Sequence, residues 1–195
     1  MPNLTNKLYA LTNNKQQKTN VYIETGAYLG EGIKTVLNSY DTIYSIELSE
    51  KWFHYNVEQF KNNSNVHMIL GDSKKILPQL IENIHEPVTI YLDAHYSGGT
   101  TSFGEEETPL LHELSILKNR TYDDIIIIDD GRLLGKTGTC GCGPNHPIYP
   151  TMTFNWVDIT ETKIKDLMKP NYILLKNDNQ MFSDGATDQF ILVKR

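Results

Sequence analysis

Val21-Tyr22-Ile23-Glu24-Thr25-Gly26-Ala27-Tyr28-Leu29-Gly30-Glu31-Gly32 is the stretch whose reading decides the fold. A short apolar run ends in an acidic residue, three glycines follow, and a helical stripe of Ile33, Val36, Leu37 and Tyr40 comes next. That is the pattern of a strand turning sharply into a helix. Gly26 permits the turn, Gly30 allows a ligand to approach the backbone, and the helix behind supplies N–H groups with no partner of their own. Such a turn points to an adenosine-bearing cofactor, although glycine at a strand-to-helix turn also serves geometry alone.

Outward from this turn, apolar runs too short for helices alternate with segments of helical period, as in repeated βα units around a mostly parallel sheet. The strands are predicted at Val21–Glu24, Thr42–Glu47, Val66–Leu70, Val88–Leu92, Ile125–Ile128, Tyr172–Lys176 and Phe190–Val193. Further helical stripes are Phe53, Val57 and Phe60, then Ile76, Leu77, Leu80, Ile81 and Ile84. Pro78 places the start of that third helix close to itself, after a tighter turn from Ser73. Thr108 as N-cap and Pro109 at N1 announce a fourth helix with Leu110, Leu111, Leu114 and Leu117 on one face, and Thr160–Met168 a fifth burying Ile164, Leu167 and Met168.

Only the polar segment 177–189 separates the last two strands, too little for a crossover helix, so they pair antiparallel. The predicted fold class is α/β: a Rossmann-like, seven-stranded, mostly parallel sheet with a C-terminal antiparallel hairpin and helices on both faces. All 195 residues form one domain, with a polar lead over 1–19 and a lid or substrate loop over 131–155, which is too long for a simple connection.

The chain carries a formal net charge of −6 with no basic run, which makes a nucleic-acid partner unexpected. No segment reads as a signal peptide or membrane span, so a soluble cytoplasmic protein is expected, with homo-oligomerisation left open. Cys140 and Cys142 are too close in sequence for an ordinary disulfide. With His146 they suggest zinc, but a fourth partner is missing and a glycine-rich loop accounts for them as well.

In sheets of this kind ligands collect at the carboxyl ends of the strands. The second strand ends in Glu47, 23 residues after Glu24, where a ribose-binding carboxylate belongs and where a helix-start carboxylate fits equally. The third ends Gly71-Asp72-Ser73, which reads either as the border of an adenine or as a helix cap. The fourth ends Leu92-Asp93-Ala94-His95-Tyr96 and the fifth Ile128-Asp129-Asp130-Gly131-Arg132. Three carboxylates arriving at one sheet edge repel one another unless a cation joins them, and Mg²⁺ suits such oxygen donors; an Asp-Gly turn is the plainer account.

Taken together, Glu24-Thr25-Gly26…Gly30, Glu47, Gly71-Asp72, Leu92-Asp93 and Ile128-Asp129-Asp130 resemble the class I S-adenosylmethionine-dependent methyltransferases. Within them the series is most similar to the metal-dependent O-methyltransferases of the macrocin and rhamnose type, over residues 20–195. The resemblance implies S-adenosylmethionine as cofactor. Glu24, Thr25, Gly26 and Gly30 would lie around its methionine part, Glu47 at the ribose, Asp72 and Ser73 at the adenine, and Asp93 beside both cofactor and chemistry. It also implies Mg²⁺ held by Asp93, Asp129 and Asp130, and a general base near the first ligand, a place that His95 offers here.

The acceptor implied is a hydroxylated small molecule such as a sugar or glycoside. Arg132, Tyr96, Tyr149 and Trp156 are candidates for lining its site. Two features depart from the family pattern: the 36-residue spacing from Asp93 to Asp129, lengthened by the loop Gly98–Glu107, and a base position that varies among relatives. Two other classes stay open, a non-catalytic cofactor-binding module and a nicotinamide-dependent dehydrogenase. The latter lacks its G-x-G-x-x-G, since Tyr28 and Glu31 stand at the second and third glycine positions.

Overall fold

The structure is a computed structural model and describes residues 19–141, 143–146, 150–177 and 187–195. Its elements are β1 (Val21–Thr25), α1 (Glu31–Val36), β2 (Thr42–Glu47), α2 (Glu50–Gln59), β3 (Val66–Leu70), α3 (Ser73–Glu82), β4 (Val88–Leu92) and α4 (Leu110–Leu117). They continue as β5 (Ile125–Ile128), a 3₁₀ turn (Gly131–Leu133), β6 (Thr137–Cys140), β7 (Met152–Asn155), α5 (Glu161–Met168), β8 (Tyr172–Lys176) and β9 (Phe190–Lys194).

Seven strands form one sheet in the order β3-β2-β1-β4-β5-β9-β8, parallel except for β9, which runs antiparallel to both β5 and β8. The expected fold class is thus the observed one. Strand side chains alternate between two cores. Ile23, Ile90, Leu92, Ile126 and Ile128 pack with Leu77 and Ile81 of α3, Leu114 of α4 and Ile164 of α5. Tyr22, Ile43, Tyr91, Ile125 and Ile127 pack on the other side with Ile33 and Val36 of α1 and with Phe60. Near-continuous apolar strands are what burial on both faces requires.

The helices correct the sequence reading in three places. In α2 the buried residues are Trp52 and Asn56, followed by Phe60 just past its end, while Val57 is 42% exposed. Asn56 holds that core position because its amide donates to the Tyr28 carbonyl at 2.7 Å and the Trp52 carbonyl at 2.9 Å, tying the helix to the glycine turn. The helix α3 starts at Ser73 and passes through Pro78. Its cap is Asp72, whose side chain accepts from the Lys74 N–H at 2.9 Å. The helix α4 begins at Leu110, one residue later than expected, with Pro109 at its cap position.

The segment expected to be a lid contains a two-stranded antiparallel sheet, β6 with β7, paired Thr137↔Asn155 through Cys140↔Met152. Leu133, Phe154 and Trp156 make a separate small core beneath it. At the opposite end of the sheet, Arg120 and Asp124 form a buried clamp, Nε to Oδ2 2.6 Å. Arg120 also donates to the carbonyls of Ile81, Ile84 and Glu86, and Asp124 accepts from the Val88 N–H, so one ion pair joins the end of α3 to the starts of β4 and β5. No helix among the described residues is long and apolar enough to cross a membrane.

Candidate functional site

A cleft of about 600 Å³ runs along the carboxyl ends of the strands, within the usual size for a ligand site. One half is built on the glycine turn. Gly26 has φ +87°, and a Cβ there would lie 2.6 Å from the Asp93 carbonyl oxygen, so glycine is required for β1 to turn against β4. Gly30, at φ +74°, is close to α2 instead of a ligand: a Cβ would meet Asn56 Oδ1 at 2.2 Å.

Glu47 holds the turn in place. One oxygen accepts from the N–H groups of Ala27 (3.0 Å) and Tyr28 (2.8 Å), the other from Ser49 (2.7 Å). Tyr28, a non-glycine residue at φ +44°, is therefore fixed at its N–H by Glu47 and at its carbonyl by Asn56. Three of the roughly four lone-pair positions of the carboxylate are used by these bonds, and Glu47 lines the cleft.

Of the residues expected around a cofactor, Gly26, Glu47, Asp72, Ser73 and Asp93 line the cleft, joined by Leu48 and Trp52. Glu24, Thr25 and Gly30 do not. Glu24 is 2% exposed and lies behind the turn, where Ser45 donates to it at 2.8 Å and Gly32 packs against it. Burial raises its pKa from 4.5 to about 8, against the Ser45 hydrogen bond, with Asp93 and Glu47 adding to the rise.

The other half of the cleft lies at the ends of β4 and β5. His95 Nδ1 is 3.4 Å from Asp93 Oδ1, and Nε2 is 3.0 Å from Asp130 Oδ2 and 2.7 Å from Ser97 Oγ. Burial opposes charge on this ring, yet the Asp93 hydrogen bond and the charges of Asp93 and Asp129 outweigh it, with Arg132 acting against them, so its pKa lies above 6.5. Asp130, in the left-handed region at φ +54°, is paired with Arg132, which also reaches Asp188 at 2.7 Å.

Donor atoms of Asp93, His95 and Asp130 all lie within 4.8 Å of one another. Asp129 lines the same cleft but stands outside that group, with Gln189 donating to it at 3.5 Å. The repulsion among carboxylates is therefore met from within the chain, by Arg132 and by His95 when protonated.

Arg132, Tyr96, Trp156 and Cys140 also line the cleft; Tyr149 and Cys142 lie outside the described residues. The sequence reading did not single out Glu107 and Asp188, nor Lys74, which is paired with Glu105 at 2.9 Å and Glu106 at 3.2 Å. Their partners lie 31 to 56 residues away, and no local pattern announces them.

No family model matches this sequence, and no curated protein matches it. Solved structures do. A candidate rRNA methylase from Clostridium thermocellum is 12% identical over 100% of this chain and 98% of its own, with a TM-score of 0.63. The N-terminal domain of EvdMO1, crystallised in the presence of SAH and D-fucose, is 10% identical over 100% and 83%, with a TM-score of 0.61. The glycopeptide N-methyltransferase MtfA, complexed with sinefungin, is 10% identical over 96% and 84%, with a TM-score of 0.58. The chain thus has the Rossmann-like fold of S-adenosylmethionine-dependent methyltransferases, a fold that serves chemically different acceptors in these neighbours.

Proposed function

We propose that the protein is an S-adenosylmethionine-dependent methyltransferase acting on a hydroxyl of a small acceptor, a sugar or another hydroxylated metabolite. The observation that carries this reading is the Asp93–His95 pair, placed in the same cleft as the glycine turn. With Nδ1–H directed at Asp93, Nε2 is the nitrogen left to take a proton, once Ser97 Oγ at 2.7 Å and Asp130 Oδ2 at 3.0 Å, which now face it, give way to an acceptor hydroxyl.

The cofactor half fits its group. Leu48, 38% exposed, beside Asp72 and Ser73, offers an apolar surface with a polar edge for a purine, and Glu47 lies between these residues and Gly26. When bound, S-adenosylmethionine supplies a methyl group already activated on a sulfonium, so what remains for the chain is alignment and removal of a proton. In such a transfer the methyl's bond to sulfur breaks as its bond to the acceptor oxygen forms, leaving a neutral thioether; His95 would take the hydroxyl proton and Asp93 would stabilise the charged ring.

Acidic lining favours an uncharged acceptor over a polyphosphate one: Asp93, Asp129, Asp130, Asp188 and Glu105 to Glu107 all border the cleft. A sugar accords with the D-fucose present with EvdMO1.

Mg²⁺ is a second element of the reading, favoured by the arrival of Asp93, Asp129 and Asp130 from two adjacent strands. Asp93 and Asp130 would hold it, with Asp129 turned toward them, and when bound it would acidify the acceptor hydroxyl. Arg132, paired with Asp130, would have to turn away to admit it.

The test is calorimetry with S-adenosylhomocysteine, followed by a screen of glycosides and sugar nucleotides with labelled cofactor, with and without chelator. Failure to bind S-adenosylhomocysteine removes the methyltransferase reading. Binding without transfer to any hydroxylated acceptor favours a cofactor-binding module, and full transfer in excess chelator removes Mg²⁺.

A further inference from the structure

His95 is flanked by two pieces of structure, and a single residue is bonded to both. On the chain side, the next residue, Tyr96, donates its N–H to the Glu107 carbonyl at 2.8 Å, which closes the base of the loop 97–106. On the opposite side, the ring of Trp156 stands edge-on to the His95 ring, centroids 5.6 Å apart and planes at 82°. Trp156 is 2% exposed, and its indole N–H donates to Glu107 Oε1 at 3.1 Å. The Asn155 N–H, at the end of β7, donates to the same carboxylate at 3.1 Å.

We propose that Glu107 is a positioning residue: its carbonyl and its carboxylate together hold the His95 ring between the loop after β4 and the β6–β7 wall. The assignment rests on the reading of His95 as the base. Glu107 belongs to the stretch that lengthens the Asp93-to-Asp129 spacing, so the extra residues have a structural product. They deliver a carboxylate to an indole 49 residues away and to a backbone N–H 48 residues away.

The far side of the same loop is tied to the cofactor half, where Trp52 Nε1 donates to the Thr100 carbonyl at 2.9 Å and Lys74 pairs with Glu105. The Glu107 carboxylate takes no part in these ties. Its loss releases Trp156 and β7 from their place against the His95 ring, while the ring's bonds to Asp93, Asp130 and Ser97 and the bonds of Glu47 in the glycine turn remain.

The experiment uses the full chain labelled at tryptophan and histidine. The sequence contains two tryptophans, so Trp52→Phe assigns the Trp156 indole signal. Glu107→Ala is expected to speed exchange of the Trp156 indole proton about tenfold and to shift the His95 ring nitrogen signals, as loss of one buried hydrogen bond predicts. Affinity for S-adenosylhomocysteine should stay within about twofold, because no bond in the cofactor half is touched. Glu107→Gln, whose amide oxygen accepts the same bonds, should restore both signals.

Unchanged Trp156 exchange and His95 signals in Glu107→Ala overturn the proposal, as does a Glu107→Gln protein that behaves like the alanine variant. If Glu107→Ala does not fold, Glu107→Asp, one methylene short of the indole, keeps the charge and both aromatic rings and must itself speed Trp156 exchange. Failure of the wild-type protein to bind S-adenosylhomocysteine would remove the methyltransferase reading and leave the indole and imidazole results to decide the role of Glu107.

Discussion

Replacing Glu24 by Gln should make the protein more stable at alkaline pH and nearly neutral at acid pH. The carboxyl is 2% exposed, and a Cβ on Gly32 would sit 1.7 Å from its Oε1, so the start of α1 walls it off from water. Desolvation is the largest cause of a pKa raised from 4.5 to about 8; the Ser45 hydrogen bond opposes it, and Asp93 and Glu47 reinforce it.

Between those two values the unfolded chain has released the proton and the folded chain keeps it, so stability falls as pH rises through that window. Each pH step of displacement is worth about 1.4 kcal/mol, giving a ceiling of about 5 kcal/mol lost from pH 4.5 to 8. In a chain of this size that ceiling corresponds to a fall of about 10–20 °C in Tm.

Gln keeps the shape and an acceptor for Ser45 but has no proton to lose. Urea melts of wild type and Glu24→Gln at pH 5, 7 and 9, taken as a difference at each pH, cancel the titration of other groups. A stability difference that does not grow between pH 5 and 9 would refute the burial argument for Glu24. Glu113, 1% exposed and raised by burial to about 7 with the nearby Ser73 and Thr25 hydroxyls acting against the rise, should show the same sign over a narrower window.

Gly26→Ala forces a Cβ against the Asp93 carbonyl and an unfavourable φ, and should cost about 1–3 kcal/mol in a urea melt and abolish S-adenosylhomocysteine binding by calorimetry. Arg120→Ala leaves Asp124 buried with its charge uncompensated and should cost about 3–5 kcal/mol in the same melt, with cofactor affinity of the folded fraction unchanged. His95→Ala should lower labelled-methyl transfer to an accepted hydroxyl about 10²–10⁴-fold while cofactor binding is kept; a rate near wild type would remove the base assignment.

The sheet was legible because its central strands β1, β4 and β5 are buried on both faces, and the outer strands keep the apolar composition of their inner face. Ile125–Ile128 has nothing but isoleucine to offer, and the predicted limits of Thr42–Glu47, Val66–Leu70 and Val88–Leu92 are those observed. The strands β6 and β7 were not seen, since Thr137–Cys140 and Met152–Asn155 are four residues each, partly exposed, and separated by a long connection. The α2 stripe was misplaced by one position because its central buried residue is Asn56, polar by composition but buried for its hydrogen bonds. Glu24 looked like a cleft residue from its place at a strand end. Strand alternation, which sends Glu24 and Thr25 to opposite faces, leaves the next residue, Gly26, to meet the cleft.

The two halves of the cleft therefore differ in how they are encoded. The cofactor half is set by backbone: a strand end, a left-handed glycine and N–H groups gathered by Glu47 within about twenty residues of sequence. The other half is set by side chains that meet from distant segments, Glu107 with Trp156 and Arg132 with Asp188, across 49 and 56 residues. A change in β6–β7 or in the loop 97–106 can alter which acceptor fits without moving Gly26 or Glu47. On the function proposed above, acceptor specificity is to be sought at Glu107, Phe154 and Trp156 instead of at the glycine turn, and exchanging residues 131–156 should move acceptor preference while leaving S-adenosylhomocysteine affinity in place.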